Sequence, residues 1–157
     1  MCIRDRAEII CYDHVLSSNE ASTMTAYLTN KYIASVLTYS DWATTKYSGY
    51  DLSDPTADLD GDGMSNFAEY AFGLNHISGA SVNPLSPLLG KTFNYSRTSN
   101  TGLTYTVWHS TNLQNWFSDH TTQGNATSIG DGVESVPVTL DDILLTNPTL
   151  YLRVTAQ

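Results

Sequence analysis

The stretch that decides the fold is residues 58–69, which read DLDGDGMSNFAE. Carboxylates alternate with other residues at Asp58, Asp60 and Asp62, a glycine follows the third of them, and Glu69 ends the stretch. Six of the sixteen acidic residues of the chain lie here or just before it, with no Lys or Arg among them. Because like charges this dense repel one another, they indicate either a solvated acidic turn or a bound cation, and the spacing favours the cation.

The spacing of these residues matches the ligand scheme of an EF-hand calcium loop. Carboxylates occupy positions 1, 3 and 5, a glycine occupies position 6, where the turn is sharp, and a glutamate occupies position 12. Ca²⁺ takes six to eight oxygen ligands, whereas Mg²⁺ prefers a small octahedron with several waters and Zn²⁺ prefers Cys or His, which this loop lacks. The predicted calcium ligands are Asp58, Asp60, Asp62, Met64 through its backbone carbonyl, Asn66 directly or through a water, and Glu69.

The flanks of the loop differ from those of a paired, regulatory EF-hand. One loop of this kind is present, and Pro55 with its polar neighbours disfavours a helix directly before it. After the loop, apolar residues recur at helical spacing and predict one short amphipathic helix over 65–72. The sequence therefore predicts a structural calcium ion rather than a calcium-triggered opening of two helices.

The N-terminal segment is predicted to hold a strand and a helix. The run AEIICY at 7–12 is apolar and partly β-branched, which indicates a buried strand, and Cys11 is interpreted as a small buried hydrophobe. Ser17 and Glu20 form a capping box, after which helical spacing predicts a helix over 18–33. A strand and one helix cannot enclose a core, so this segment is interpreted as the tail of a larger domain.

A second short helix is predicted over 40–47, before the acidic loop. Ser40 is its expected N-cap, and Trp42 and Tyr47 are the expected buried anchors. The run VNPLSPLL at 82–89 has two prolines and no periodicity, so it is interpreted as a linker or edge segment.

Beyond this linker the hydrophobic period changes to two, which is typical of half-buried antiparallel strands. Pro137 falls on the polar side of one such run, and since proline is confined to edge strands or bulges, that strand is predicted to be an edge. Turns are predicted at 100–102 and 130–132. The predicted strands cover 103–108, 135–140 and 150–155, with shorter ones at 93–96 and 116–119.

Composition excludes several classes of protein. Sixteen acidic against 7 basic residues give a net charge of -9, which argues against a nucleic-acid partner because phosphate binding needs clustered Lys and Arg. A hydrophobic fraction of 41% with 11% aromatic residues excludes a disordered acidic tail. No apolar run approaches the roughly 20 residues of a membrane span, and two cysteines make no disulfide framework.

The chain is predicted to be α+β by content and to divide into four segments. The opening MCIRDR resembles translated sequencing adaptor from a metagenomic assembly, so it is set aside and the chain is interpreted as a fragment. The segments are this artefact at 1–6, a truncated strand–helix tail at 7–35, a helical module with an EF-hand-like calcium loop at 36–80, and a small antiparallel β-sandwich at 81–157.

Several stretches of the chain resemble modules of secreted bacterial proteins. AEIICYDHVLS with YLTNKY, within 7–32, resembles the C-terminal end of laminin-G/concanavalin-like modules. DPTADLDGDGMSNFAEYAFGLN at 54–75 resembles an element of secreted proteins from Verrucomicrobia-like bacteria, related in style to dockerin and thrombospondin type 3 loops. LTYTVWHSTNLQNW and LYLRVTA resemble the β module that commonly follows that element.

These resemblances imply an extracellular or cell-surface accessory module whose calcium residues are Asp58, Asp60, Asp62, Asn66 and Glu69. Dockerins generally carry two such loops with Asp at position 12, whereas this chain has one loop with Glu, so cohesin binding is not implied. The predicted function is non-catalytic: calcium rigidifies the joint between upstream domains of the same polypeptide and the β-sandwich.

The alternative is a carbohydrate-binding accessory module attached to a polysaccharide-degrading enzyme. Trp108 and Trp116 are the candidate ligand-binding residues, because their indoles can form an aromatic platform for a sugar ring. No catalytic residue is predicted, since the four histidines are scattered and the acidic pairs are interpreted as turn or strand-end residues. Those pairs are Asp131 with Glu134 and Asp141 with Asp142.

Overall fold

The computed structural model describes residues 15–32, 36–45, 49–80 and 83–157 of the chain. These ranges contain four helices and six antiparallel strands in two sheets, so the chain is a mixed α+β protein with a small β-rich region, as predicted. The helices are α1 (Ser18–Tyr32), α2 (Tyr39–Thr45), α3 (Asn66–Phe72) and α4 (Asp142–Leu145). The strands are β1 (Thr92–Thr98), β2 (Tyr105–Ser110), β3 (Thr121–Gln123), β4 (Thr127–Gly130), β5 (Val133–Leu140) and β6 (Tyr151–Ala156).

The chain forms two compact units, one up to residue 36 and one over 37–157. In the first unit, α1 begins with the predicted capping box: the Ser17 hydroxyl donates to the Glu20 carboxylate at 2.6 Å, and the Glu20 N–H donates back at 3.3 Å. The predicted strand at 7–12 and Cys11 lie outside the described residues. The boundary predicted after residue 80 falls within the second unit, and it stays a prediction.

In the second unit, α2 begins one residue earlier than predicted, and its N-cap is Thr38 rather than Ser40. The Thr38 N–H donates to the Asp41 carboxylate at 3.3 Å, and the Asp41 N–H donates to the Thr38 hydroxyl at 3.2 Å. A reciprocal pair at this spacing satisfies two free backbone donors, which Ser40 inside the first turn cannot do. Trp42 is 1% exposed, as predicted, and Tyr47 lies outside the described residues.

The larger sheet has β5 at its centre, with β1 on one side and β3 and β4 in sequence along the other. The predicted apolar positions of β5 face the core: Val136, Val138 and Leu140 are at most 2% exposed. The strands β3 and β4 and the short helix α4 were not predicted, because their sequences carry no apolar alternation or helical period long enough to identify them.

The prediction that the Pro137 strand is an edge is wrong, because β5 has neighbours on both sides. Pro137 lies opposite Asn94 of β1, whose N–H and carbonyl both bond Ser86 and so point away from β5. The backbone nitrogen of Pro137, which carries no hydrogen, therefore points away from β1. It faces the break between β3 and β4. There the Pro137 carbonyl accepts a bond from Gly124 at 2.8 Å, so the central strand loses no ladder bond.

The smaller sheet pairs β2 with β6, in a register that places Val107 opposite Val154 and Trp108 opposite Arg153. The predicted strand at 116–119 reduces to a single bridge between Phe117 and His109. The predicted turn at 100–102 is present, with left-handed backbone at Asn100 and Gly102.

Both sheets and the helical region share one buried cluster. Ring centroids of Tyr95 in β1 and Tyr105 in β2 are 5.8 Å apart, which joins the two sheets. The buried apolar residues are Trp42, Leu52, Tyr70, Ala71, Phe72, Phe93, Tyr95, Tyr105, Val107, Val136, Val138, Leu140 and Leu144. None of the helices within the described ranges is long and apolar enough to cross a membrane.

Candidate metal centre

The first carboxylate of the acidic loop holds the loop backbone in shape. Both oxygens of Asp58 accept backbone N–H bonds of 2.8 Å, one from Gly61 and the other from Gly63. Gly63 has φ of +94°, a conformation that side chains rarely adopt. The glycine expected at the sharp turn is therefore required by the backbone itself.

Asp60 and Asp62 each use one oxygen for the loop and keep the other without a partner. Their Oδ1 atoms accept N–H bonds from Asp62 and Met64 at 3.2 and 2.7 Å. Their Oδ2 atoms are buried and make no hydrogen bond. One oxygen from each of Asp58, Asp60 and Asp62 lies within 4.8 Å of the others, so these three aspartates can hold one metal ion.

Glu69 adds a fourth carboxylate, from the first turn of α3. Its side chain is 0% exposed, and neither carboxylate oxygen has a hydrogen-bond partner. Burial, followed by the negative charges of Asp60, Asp62 and Asp58, raises the pKa of Glu69 to about 7. An isolated buried carboxylate is strongly unfavourable, so this group requires a proton or a cation.

Asn66 supplies a neutral oxygen at position 9. Its amide Nδ2 donates to the backbone carbonyl of Asp54 at 2.9 Å, and because a carbonyl only accepts, this bond sets the orientation of the amide. Its Oδ1 is buried without a partner, and the whole residue is 0% exposed. Direct ligation by Asn66 and ligation through a water both stay predictions.

The unpartnered buried oxygens of the acidic loop number five in the described ranges of the chain. They are Asp60 Oδ2, Asp62 Oδ2, Asn66 Oδ1, and Oε1 and Oε2 of Glu69. Such oxygens fit a hard divalent cation, and the loop sequence contains no Cys or His. Met64, at position 7, is partly buried, and ligation by its carbonyl stays a prediction.

The helix that carries Glu69 is held at both ends. At its start the Ser65 hydroxyl caps it by accepting the Ala68 N–H at 3.3 Å. At its end the carbonyls of its last three residues accept bonds from the hydroxyls of Thr98, Tyr105 and Ser96. These carbonyls lack partners within the helix, so β1 and β2 satisfy groups that a helix end leaves unpaired.

An aromatic cluster joins α2 to α3 beside the acidic loop. The Tyr39 ring centroid is 5.7 Å from Trp42, 6.1 Å from Phe67 and 5.6 Å from Tyr70. Burial, followed by the charges of Asp54 and Glu69, raises the pKa of the Tyr39 hydroxyl. Aromatic side chains of α2 and α3 therefore pack against one another close to the acidic loop.

The two tryptophans predicted as ligand-binding residues lie together around one arginine. The guanidinium carbon of Arg153 is 4.1 Å from the Trp116 ring centroid and 5.6 Å from that of Trp108. Sequence reasoning did not include Arg153, since only the register of β2 and β6 places it opposite Trp108.

Three of the four residues in the acidic pairs considered in the sequence contact a basic side chain or a histidine. Glu134 pairs with Arg97 at 3.0 Å and Asp142 with Lys91 at 3.2 Å, while Asp141 lies 3.0 Å from His120 Nδ1, within hydrogen-bond distance.

Asp119 links two histidines in a network that sequence reasoning did not predict. One of its oxygens bonds His109 Nε2 at 2.9 Å, and the other lies 3.6 Å from His120 Nε2. The bond from His109, helped by the charge of His120, lowers the pKa of Asp119. This chain of contacts joins His109 of β2 and Asp141 after β5 to the neighbouring Asp119 and His120, which precede β3. The three positions are distant in sequence, so no local spacing predicts the network.

Comparison with protein-family models, with curated proteins and with solved structures gives no match for this chain.

Proposed function

We propose that the loop over residues 58–69 binds one structural Ca²⁺ ion. The observation that carries this proposal is Glu69, whose carboxylate is fully buried beside three aspartates and has no hydrogen-bond partner. A carboxylate in that position is stable when a cation lies among the four acidic groups. Asn66 supports the same conclusion, because its amide is turned so that a neutral oxygen is left without a partner.

Calcium fits this set of donors better than other common metals. The donors are oxygens, and both oxygens of Glu69 are without partners, as a bidentate ligand at position 12 requires. Mg²⁺ needs a near-ideal octahedron and usually keeps several waters, whereas this loop offers many protein oxygens. The proposed ligands are Asp58, Asp60, Asp62, Met64 through its carbonyl, Asn66 and Glu69.

The proposed role of the ion is to join the loop and the β-rich region into a single rigid unit. Calcium holds the start of α3 through Asn66 and Glu69, while hydroxyls of β1 and β2 hold its end. On this proposal the two sheets form a small β-sandwich, and calcium stiffens the joint to domains upstream in the same polypeptide. The setting is extracellular or at the cell surface, where weak calcium modules with dissociation constants of about 0.1–1 mM are occupied.

Calcium titration of the purified chain tests this proposal. We expect a saturable heat change on binding and a melting temperature that rises with free calcium, because a ligand at about a hundredfold excess over Kd adds about 2.7 kcal/mol to the free energy of unfolding. Mg²⁺ at the same concentration should give a smaller rise.

Two variants locate the ion. Glu69→Gln should lose calcium binding. Asp131→Asn is the matched control: it removes one negative charge from an exposed turn and keeps a residue type that tolerates the left-handed backbone found there. The proposal fails if chelation leaves the melting temperature unchanged, or if Glu69→Gln binds calcium as the parent does.

A further inference from the structure

Arg153 lies on the outward side of the smaller sheet between two indoles. Its guanidinium carbon is 4.1 Å from the ring centroid of Trp116 and 5.6 Å from that of Trp108, and its side chain is exposed. The contact with Trp108 follows from the register, because the two residues lie opposite one another on β2 and β6. The two tryptophans are partly buried, so the arginine is the most accessible member of the group.

The charge of Arg153 is not neutralised by a carboxylate of the described residues. Among the basic side chains that the structure describes, Lys91 pairs with Asp142 at 3.2 Å and Arg97 pairs with Glu134 at 3.0 Å, but Arg153 forms no ion pair. The outward positions of β2 and β6 also carry no acidic residue. In a chain of net charge -9, this face therefore differs from the chain as a whole in carrying a positive charge.

Both indoles are held in place before any ligand arrives. Trp108 Nε1 donates to the Thr155 hydroxyl at 2.9 Å, and Trp116 Nε1 donates to the Leu113 carbonyl at 3.2 Å. Groups that are already ordered lose little conformational entropy on binding. The indole donors are used internally, so the tryptophans offer apolar ring surface to a ligand rather than hydrogen bonds.

Stacking on an indole uses the flat face of a guanidinium and leaves its rim of N–H donors available. That rim matches a carboxylate or a sulfate through two parallel hydrogen bonds. An acidic sugar combines an anionic group with apolar C–H surface, which suits a guanidinium flanked by indole rings. We propose that Trp108, Trp116 and Arg153 form a binding site for an acidic polysaccharide, whose carboxylate or sulfate pairs with Arg153.

The test compares short sugar oligomers that differ only in charge. Oligogalacturonate is titrated against its fully methyl-esterified form, and a sulfated galactan oligomer against its desulfated form, by calorimetry at one fixed calcium concentration. We expect binding of at least one charged oligomer and at least tenfold weaker binding of its neutral counterpart. The two pairs distinguish carboxylate from sulfate as the recognised group.

Variants then place the site. Arg153→Gln should weaken binding about tenfold or more, Trp116→Ala should weaken it as well, and Arg153→Lys should give an intermediate loss because it keeps the charge without the planar fork. Lys91→Gln is the matched control, since it removes one exposed, already paired cation and should leave binding unchanged. Circular dichroism and the melting temperature check that each variant folds. If Trp116→Ala does not fold, Arg153→Gln still tests the site, because Arg153 is exposed and its replacement leaves the core unchanged.

Three results overturn the proposal: equal binding of the charged and neutral oligomers, unchanged binding by Arg153→Gln, or no binding of either acidic oligomer. Equal or tighter binding of a polyglutamate peptide also overturns it and indicates an acidic protein partner instead. The site is independent of the proposed calcium loop, so Glu69→Gln should still bind the acidic oligomer. If Glu69→Gln loses sugar binding while Arg153→Gln keeps it, the assignment of the sugar site to Arg153 is overturned. That result would indicate that calcium at the loop bridges the protein and the sugar.

Discussion

The phenolic hydroxyl of Tyr105 donates a 2.7 Å hydrogen bond to the backbone carbonyl of Ala71, and both residues are buried. Tyr105 begins β2, whereas Ala71 belongs to the last turn of α3. A side chain of the smaller sheet thus completes the hydrogen bonding of the helix that follows the acidic loop. Changes in the sheet and changes in the loop therefore act on the same helix.

Removing this hydroxyl should lower the free energy of unfolding of the chain, including that of the helix that follows the acidic loop. Tyr105→Phe leaves the buried Ala71 carbonyl without its donor, which costs about 1–3 kcal/mol of unfolding free energy. Urea unfolding in excess calcium measures the loss. Tyr151→Phe removes a hydroxyl from an exposed tyrosine on β6 and should change stability by less than about 0.5 kcal/mol. Equal stability of the two variants would contradict a role for this bond.

The metal-free protein should become less stable as the pH rises from about 5 to about 7.5. Burial and the neighbouring aspartates raise the pKa of Glu69 to about 7, from an ordinary value of 4.5. A folded state that holds a proton more tightly than the unfolded state gains stability at low pH and loses it as the pH passes the folded pKa. Thermal melts of the metal-stripped chain across this range measure the slope.

Saturating calcium should remove or reverse that slope, because the ion replaces the proton among the carboxylates. Glu69→Gln isolates the contribution of this residue from those of the other acids. We expect its metal-free melting temperature to change less with pH than that of the parent. A parent and a variant with the same pH dependence would show that Glu69 does not govern it.

Gly73→Ala should destabilise the chain more than Gly90→Ala. Both glycines have left-handed backbone, with φ of +68° and +60°, and alanine in that conformation costs about 1 kcal/mol. At Gly73 the added Cβ would also lie 2.8 Å from both methyl carbons of Val133, whereas at Gly90 it meets open space. Chemical denaturation of the two variants compares strain alone with strain plus a steric clash.

Asn66→Asp should make stability depend more strongly on calcium. The variant keeps an oxygen at position 9, but it loses the amide donor to the Asp54 carbonyl and adds a negative charge beside Glu69. The metal-free melting temperature should fall, and calcium should restore most of the loss because the added carboxylate can serve as a ligand. An equal loss with and without calcium would mean that the Asp54 contact alone matters.

Local spacing was enough to predict the features that depend on neighbours in sequence. The capping box of Ser17 and Glu20, the short helix after the acidic loop and the inward side of β5 all follow from residues within one turn or one strand. The convergence of the three aspartates follows likewise, since alternate residues of a tight loop point to one centre.

Contacts between distant residues were not accessible in this way. Pro137 was assigned to an edge because a lone strand does not reveal where its neighbours break, and the gap between β3 and β4 depends on the whole sheet. The position of Arg153 between Trp108 and Trp116 likewise requires the register of two strands more than forty positions apart. The hydroxyls that hold the end of α3 come from strands that no local pattern connects to that helix.

The complete burial of Glu69 also couples the amount of folded chain to whatever neutralises this carboxylate. A charged carboxylate alone in that interior is strongly unfavourable, so a proton or an ion stabilises the state in which the strands cover α3. Near neutral pH a group with a pKa of about 7 is only partly protonated, so the proton supplies part of this stabilisation and the proposed calcium ion would supply the rest. The folded fraction of the chain would then follow the free calcium concentration around it.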